Sequence, residues 1–204
     1  MKDIETELAR SRRGAEEAAA EAAARLAKVA ERAGLVDVAY AHVDSPFGTL
    51  FVAATPKGLV RLAYPGEGDP AAGLAVSISP RILESPAQLD PVRRELDEYF
   101  EGKRRRFDVK VDWRLIHGFA TRVLRATAKV PYGRLITYRE VARRAGSPGA
   151  YRAAGNALGS NPMPIVVPCH RVVREGGALG GYTGGLDRKE LLLRLEGALE
   201  ETQA

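Results

Sequence analysis

Between residues 37 and 64 the chain alternates short apolar runs with turns that no helix tolerates. Val38-Ala39-Tyr40-Ala41-His42-Val43 leads into Asp44-Ser45-Pro46-Phe47-Gly48. Thr49 to Ala54 leads into Thr55-Pro56-Lys57-Gly58, and Leu59 to Tyr64 ends on another proline. Six-residue runs rich in β-branched and aromatic side chains, cut by Pro and Gly at such intervals, predict three strands of an antiparallel meander. Pro65 to Pro80 reads as loop. Asp90 to Phe100 reads as a helix with Pro91 in its first turn. Lys103-Arg104-Arg105-Arg106 reads as a charged turn, with a phosphate contact as the alternative, and the alternation of Phe107 to Trp113 predicts a further strand. Residues 37–113 therefore form a small α+β domain with no evident chemistry of its own.

The flanking segments have a different period. Residues 1–36 are an N-terminal helical extension: Ala15 to Ala30 is almost wholly strong helix formers, and Gly34 is a natural stop. Leu8, Ala15, Ala19, Ala22, Leu26 and Val29 follow a rough three-four spacing, so the helix carries one thin apolar stripe. Residues 114–204 turn helical again. Phe119, Val123, Leu124 and Ala128 mark one buried face over Phe119 to Lys129. Val130-Pro131-Tyr132-Gly133 breaks that helix. Thr137-Tyr138-Arg139-Glu140 fits a capping box opening a helix to about Ala145. Ser147 then reads as a new cap, with Pro148 as first residue of a helix from Gly149 to Leu158. Two short helices about a glycine-containing turn are the helix-turn-helix pattern.

The net charge of +5 is unevenly placed: 14 basic residues face 7 acidic ones from Arg114 onward, against 17 and 19 in the rest. A basic excess in the half with the helix pair points to a polyanion, most simply nucleic acid. The second helix offers Ala153, Ala154 and Gly155 where major-groove readers carry long polar side chains, so a close minor-groove fit is expected there. Arg152 is the one long cation near its start. No run approaches the roughly 20 apolar residues of a membrane span. The first residues lack a signal peptide's apolar core. A cytoplasmic protein is expected, nucleoid-associated if prokaryotic.

Cys169 is the only cysteine, which excludes an intramolecular disulfide and any Cys-pair zinc site. It stands in Pro168-Cys169-His170-Arg171-Val172-Val173. A thiol becomes a strong nucleophile as its thiolate, and a neighbouring base or cation makes that form accessible. His170 and Arg171 are such neighbours by sequence. A buried core cysteine is the competing reading.

With Val130-Pro131-Tyr132-Gly133, Thr137-Tyr138, Arg152-Ala153-Ala154-Gly155, Asn161-Pro162, Pro168-Cys169-His170-Arg171-Val172, Tyr182-Thr183-Gly184-Gly185 and Lys189-Glu190 to Glu196-Gly197 in this order, residues 115–197 resemble the O6-alkylguanine-DNA alkyltransferases. These are also called methylated-DNA–protein-cysteine methyltransferases. The resemblance implies an α+β protein: a small ribonuclease-H-like antiparallel-sheet domain, then a helical helix-turn-helix domain that binds DNA and transfers the alkyl group. The extra helix before them has no counterpart in the pattern.

The resemblance further implies a repair protein that acts once. Cys169 would attack the alkyl carbon on O6 of guanine, or more weakly O4 of thymine, in double-stranded DNA, and keep the group as a thioether. His170 would take the thiol proton through a water, Glu196 would orient His170, and Tyr138 would protonate N3 of the leaving base. The base must leave the stack, and Arg152 matches the arginine that fills the gap. Asn161 matches a hinge residue. Val167 and Pro168 would shape the approach to the sulfur, and Tyr182 and Thr183 would line the pocket. The carbonyls of Cys169 and Val172 would accept from the guanine amino group. No cofactor is implied. With only His42, His117 and His170 available, no metal is expected. Cooperative self-association on DNA is left open. Two other classes compete. Alkyltransferase-like proteins that only bind the lesion lack the cysteine. Cysteine hydrolases place their histidine far away in sequence.

Overall fold

A computed structural model describes residues 2–199. α1 (Lys2–Arg32) is the alanine- and glutamate-rich helix expected, and Gly34, at φ +65°, turns the chain away from it. The apolar stripe is not its docked face. Leu26 and Val29 stay 62% and 64% exposed, Ala15, Ala19 and Ala22 are also exposed, and Ala27 is buried instead. The side chain of Leu8 lies outside the described residues.

β1 (Val38–Val43), β2 (Leu50–Thr55) and β3 (Gly58–Ala63) form the meander, with Tyr40 opposite Ala53 and Val52 opposite Leu62. Alternation gives the sheet two packed faces. Ala39, Ala41, Val43, Leu50 and Val52 join the main core, while Val38, Phe51, Ala53 and Val60 form a second cluster with Leu74. Leu74 belongs to α2 (Pro70–Ser77), which occupies the segment expected to be loop. The Asp69 carboxylate accepts from the Ala72 amide at 3.0 Å and Pro70 occupies the first turn, an ordinary helix start hidden among glycines. β4 (Ile82–Glu84) adds to the sheet parallel to β1, so the four-stranded order β3-β2-β1-β4 is not purely antiparallel.

α3 (Pro86–Phe100) begins four residues earlier than the sequence indicates and buries Leu89, Val92, Leu96 and Tyr99. Residues 107–113 do not form the expected strand. Their alternation meets only one residue of β3: Leu59 donates to the Lys110 carbonyl and accepts from the Asp112 amide, both at 2.8 Å. The Asp112 carboxylate is occupied by Thr55 and Arg114, both at 2.6 Å, which pins the segment as a strap.

α4 (Gly118–Thr127) buries Val123, Leu124 and Ala126. β5 (Ile136–Thr137) leads into α5 (Tyr138–Arg144), where the Thr137 hydroxyl accepts from the Glu140 amide at 3.2 Å. Only that half of the capping box forms, because the Glu140 carboxylate is drawn to Arg143 and Arg144 at 2.6 and 2.8 Å. α6 (Tyr151–Gly159) starts two residues late. Ser147 does not cap it; its carbonyl accepts from Ala150 in the preceding turn at 2.9 Å. α5 and α6 pack on each other and on α4 as the helix-turn-helix. A one-turn 3-10 helix, Cys169–Arg171, then leads into β6 (Val172–Val173), parallel to β5, and α7 (Leu186–Leu195) follows.

The core does not respect the midpoint of the chain. Val52 and Leu96 belong to the same buried cluster as Val123, Val167 and Leu192. β3 also reaches into the second half, Leu62 donating to the Pro162 carbonyl at 2.8 Å. Among the described residues no helix is long and apolar enough to cross a membrane.

Candidate active site

Cys169 opens the 3-10 turn, where Pro168 fixes the entering backbone. The segment before it is held by Asn161. The Asn161 amide donates to the Val167 carbonyl at 2.8 Å and to Cys169 Sγ at 3.1 Å, and its oxygen accepts from the Met163 amide at 3.1 Å. Asn161 thus spans α6 and the cysteine turn. Ile165, within the span it closes, takes φ +72°, a left-handed conformation rare for a β-branched residue.

Behind the turn lies a buried cluster around Glu196, at the C-terminal end of α7. Glu196 Oε1 accepts from His170 Nε2 at 2.9 Å, Tyr99 at 2.7 Å and Arg171 at 2.8 Å; Oε2 accepts from Arg171 Nε at 2.8 Å and the Gly133 amide at 3.1 Å. Burial pulls the Glu196 carboxyl upward, but the bonds from His170 and Arg171 together outweigh it and hold it at about 2. Glu196 is therefore an anion, and His170 Nε2 carries the hydrogen that it accepts. Burial holds His170 below its usual range, with Arg171 and Lys189 pushing the same way against Glu196. Arg171 is thus the counter-charge of Glu196, and His170 is a neutral imidazole. His170 Nδ1 is buried and has no hydrogen-bond partner among the described residues.

Burial likewise pushes the Cys169 thiol up to about 11, opposed by the Asn161 hydrogen bond, the charge of Lys189 and the backbone amides of Cys169 and His170. Lys189 on α7 is fully buried and, chiefly through that burial, lowered to about 8. Its ammonium donates to the carbonyls of Val172 and Leu179 and, at 3.5 Å, to that of Gly181. It ties the glycine-rich 174–185 segment to the cysteine turn.

Cys169 lines a cavity of about 880 Å³, which also takes in Tyr138, Arg139, Tyr151, Arg152, Gly155, Arg174, Tyr182 and Thr183. Its mouth lies between the helix-turn-helix and the 174–185 segment. Tyr138 donates to the Gly181 carbonyl at 3.3 Å, and Thr183 to that of Gly159 at 2.6 Å. Arg152 is exposed, lies 5.7 Å from the Tyr151 ring centroid and makes no ion pair among the described residues.

Several expected residues lie elsewhere. Ala154 is fully buried under α6 and faces the core, leaving Ala153 exposed and Gly155 partly so. Helical periodicity turns one of three successive small residues inward. Pro168 and Val167 line a separate groove with Tyr132 and Val166, behind the cysteine turn rather than before it. Val172 is buried outside the cavity, and its carbonyl already accepts from Lys189 at 2.6 Å. Tyr99 builds the centre with no signal in the sequence, while Arg171, expected as a cation beside the thiol, is bonded to Glu196 instead, and Gly133 and Lys189, known only as motif positions, hold Glu196 and the cysteine turn. Gly133 carried a signal in its Pro-Tyr-Gly turn: it adopts φ +68°, and a Cβ there would stand 2.8 Å from the Glu196 carbonyl oxygen.

Fold and centre together define a helix-turn-helix protein built around one buried thiol at the foot of an arginine-rimmed cavity. Residues 118–198 match the DNA-binding domain, and residues 38–113 the ribonuclease-like domain, of 6-O-methylguanine DNA methyltransferase. The methylated-DNA–protein-cysteine methyltransferase of Mycolicibacterium paratuberculosis is 40% identical over 159 residues, 78% of this chain and 92% of that protein. The protein of the same name from Methanosarcina barkeri is 38% identical over 158 residues, 77% and 96% of the two chains. The crystal structure of Mycobacterium tuberculosis OGT in complex with DNA matches with a TM-score of 0.68 at 36% identity, covering 78% of this chain and 93% of that one. The chain belongs to the 6-O-methylguanine DNA methyltransferase family.

Proposed function

We propose that this chain repairs double-stranded DNA by moving the alkyl group of O6-alkylguanine, and more weakly O4-alkylthymine, onto its own Cys169, once per molecule. The observation that carries the reading is the placement of the sole thiol. It lies at the foot of a cavity whose mouth is the helix-turn-helix, with an unpartnered histidine nitrogen in the same buried turn.

Displacement at a saturated carbon needs a soft nucleophile and a leaving group that accepts the bond's electrons. As the S–C bond forms and the C–O6 bond breaks, the Cys169 proton passes by way of a bridging water to His170 Nδ1. The imidazolium so formed is stabilised by Glu196, through the hydrogen bond at 2.9 Å. The purine leaves with the C–O6 electrons and takes a proton at N3 from Tyr138; burial holds that hydroxyl above its usual range, so it stays protonated until the leaving anion draws the proton, and the phenolate left is reprotonated from solvent through the cavity mouth. The thiol is therefore ionised by proton transfer during reaction rather than by standing as a thiolate. Asn161 positions Sγ. The guanine enters extruded from the duplex through the minor groove, Arg152 fills the gap, and Ala153 and Gly155 let the backbone approach. In this division residues 37–113 support and residues 114–204 bind and react; residues 200–204 lie outside the described residues.

The test is an intact mass after incubation with a stoichiometric duplex carrying O6-methylguanine. One methyl adduct on Cys169, no further turnover, and no adduct in Cys169→Ser despite retained DNA binding are the expected results. Many lesions cleared per molecule, or an unmodified thiol, would refute the reading.

A further inference from the structure

The first half of the chain reaches the cavity wall through a side chain that no motif marks. Tyr64 follows β3 and is 2% exposed. Its hydroxyl lies 2.7 Å from that of Tyr182, one of three tyrosines that line the cavity with Cys169. The two rings meet edge to face, with centroids 6.2 Å apart, and the Arg188 guanidinium covers the Tyr64 ring at 4.6 Å. Gly184 completes the packing. A Cβ there would stand 2.7 Å from Tyr64 Cε2 and 2.9 Å from Tyr182 Cε1, so only glycine leaves room for both rings. Tyr64 is itself fixed from behind: its amide donates to Glu67 at 2.9 Å, and Glu67 is held by Arg61 at 2.8 Å.

Tyr182 needs such a support. It sits among Gly180, Gly181, Gly184 and Gly185, in a segment whose backbone is anchored through Lys189, Tyr138 and Thr183, while its own hydroxyl is bonded to Tyr64. A phenol on a loose loop yields to a bulky neighbour, whereas one with a bonded hydroxyl and a packed ring edge does not. We propose that Tyr64 is a positioning residue that holds Tyr182 as a rigid wall and thereby limits the size of alkyl group the centre accepts. This rests on the alkyl-transfer reading above and assigns the first half of the chain a part in substrate selection.

The experiment compares single-turnover rate constants on one duplex sequence carrying either O6-methylguanine or O6-benzylguanine. Tyr64→Phe and Tyr182→Phe remove the same hydrogen bond from opposite ends, so either serves if the other folds poorly. Each is expected to raise the benzyl-to-methyl rate ratio about three- to tenfold, the scale of one lost hydrogen bond. The double variant should add nothing further, because only one bond exists to be lost. A merely structural Tyr64 would slow both lesions equally and lower the melting temperature, leaving the ratio unchanged. That result, or additive effects in the double variant, overturns the proposal while alkyl transfer by the unsubstituted chain stands. Absence of transfer from both lesions in the unsubstituted chain overturns the underlying reading and the proposal with it.

Discussion

Glu196→Gln is the most informative single change in the centre. The carboxylate accepts five hydrogen bonds from four residues, all of them buried or at backbone amides. An amide of the same shape has one accepting oxygen and one donating nitrogen. Whichever way it is turned, the nitrogen faces a donor: Arg171 Nε and Gly133 on one side, or His170, Tyr99 and Arg171 on the other. The charge is lost as well, so the buried Arg171 guanidinium loses its counter-charge and one of its two bonds to residue 196, keeping the amide oxygen and the Val130 carbonyl, at 2.5 Å, as acceptors. Orphaning one member of a buried pair costs about 3–5 kcal/mol. That figure is the penalty of leaving the partner unmatched, not the net worth of the pair. For a chain of this length it lowers the melting temperature by about 6–20 °C. The sign with pH is fixed by the depressed carboxyl. The ordinary value is 4.5 and the folded one about 2, so the Glu196 contribution is complete above about 4.5 and is lost as pH falls towards 2. Acid melts of the unsubstituted chain should fall steeply across that window, and Glu196→Gln should fall less. Transfer should slow by about 10²–10⁴-fold, the usual worth of a positioned general base. Thermal melts from pH 2 to 7 and quenched single-turnover assays measure both. A variant with an unchanged melting temperature and rate would show that Glu196 neither anchors Arg171 nor supports His170.

Two other predictions concern parts of the chain with few internal contacts. Arg152→Ala should slow transfer from duplex DNA at least about tenfold more than reaction with a free O6-alkylguanine base, since extrusion is needed only in the duplex; equal losses on both would remove Arg152 from that role. Deleting residues 1–33 should leave the transfer rate unchanged and lower the melting temperature by no more than about 4 °C, because Ala27 is the only buried side chain described in α1 and one methyl is worth about 1 kcal/mol. A large loss of rate would assign that helix a part in the reaction.

The elements that were legible are those whose signal is local. Pro- and Gly-bounded apolar runs gave the meander, a threonine cap placed α5, and the Pro-Cys-His-Arg turn placed the thiol. Segments whose state depends on a distant partner were not legible. Residues 107–113 alternate like a strand, but the only paired backbone they meet is Leu59. α2 was hidden because its single buried residue, Leu74, gives no helical periodicity; it packs on the outer face of β1–β3, a partner that lies elsewhere in the sequence. At the site the same division holds. Cys169, His170 and Glu196 sit in recognisable strings, whereas Tyr99 is an ordinary buried residue of an amphipathic helix until its hydroxyl is found 2.7 Å from Glu196. Ala154 shows the reverse error: a small residue reads as surface access, and only the phase of α6 shows that it points inward.

The centre is therefore not the property of the half that carries the motif. Tyr99 bonds the carboxylate behind His170, Leu62 bonds the segment that begins with Asn161, and Tyr64 bonds the cavity wall. All three come from the first half, and none touches the sulfur itself: each acts through residues that hold the centre. A thiol pushed up to about 11 by burial gains nothing from standing exposed to solvent bases. It needs a proton acceptor and a substrate brought to fixed positions, and a small helical unit has too little buried surface to fix both alone. Sharing one core between the halves supplies that rigidity. Loosening the contacts of Leu62, Tyr64 or Tyr99 should consequently change reactivity at Cys169 before it changes affinity for DNA, which the proposed function assigns to the exposed face of α5 and α6.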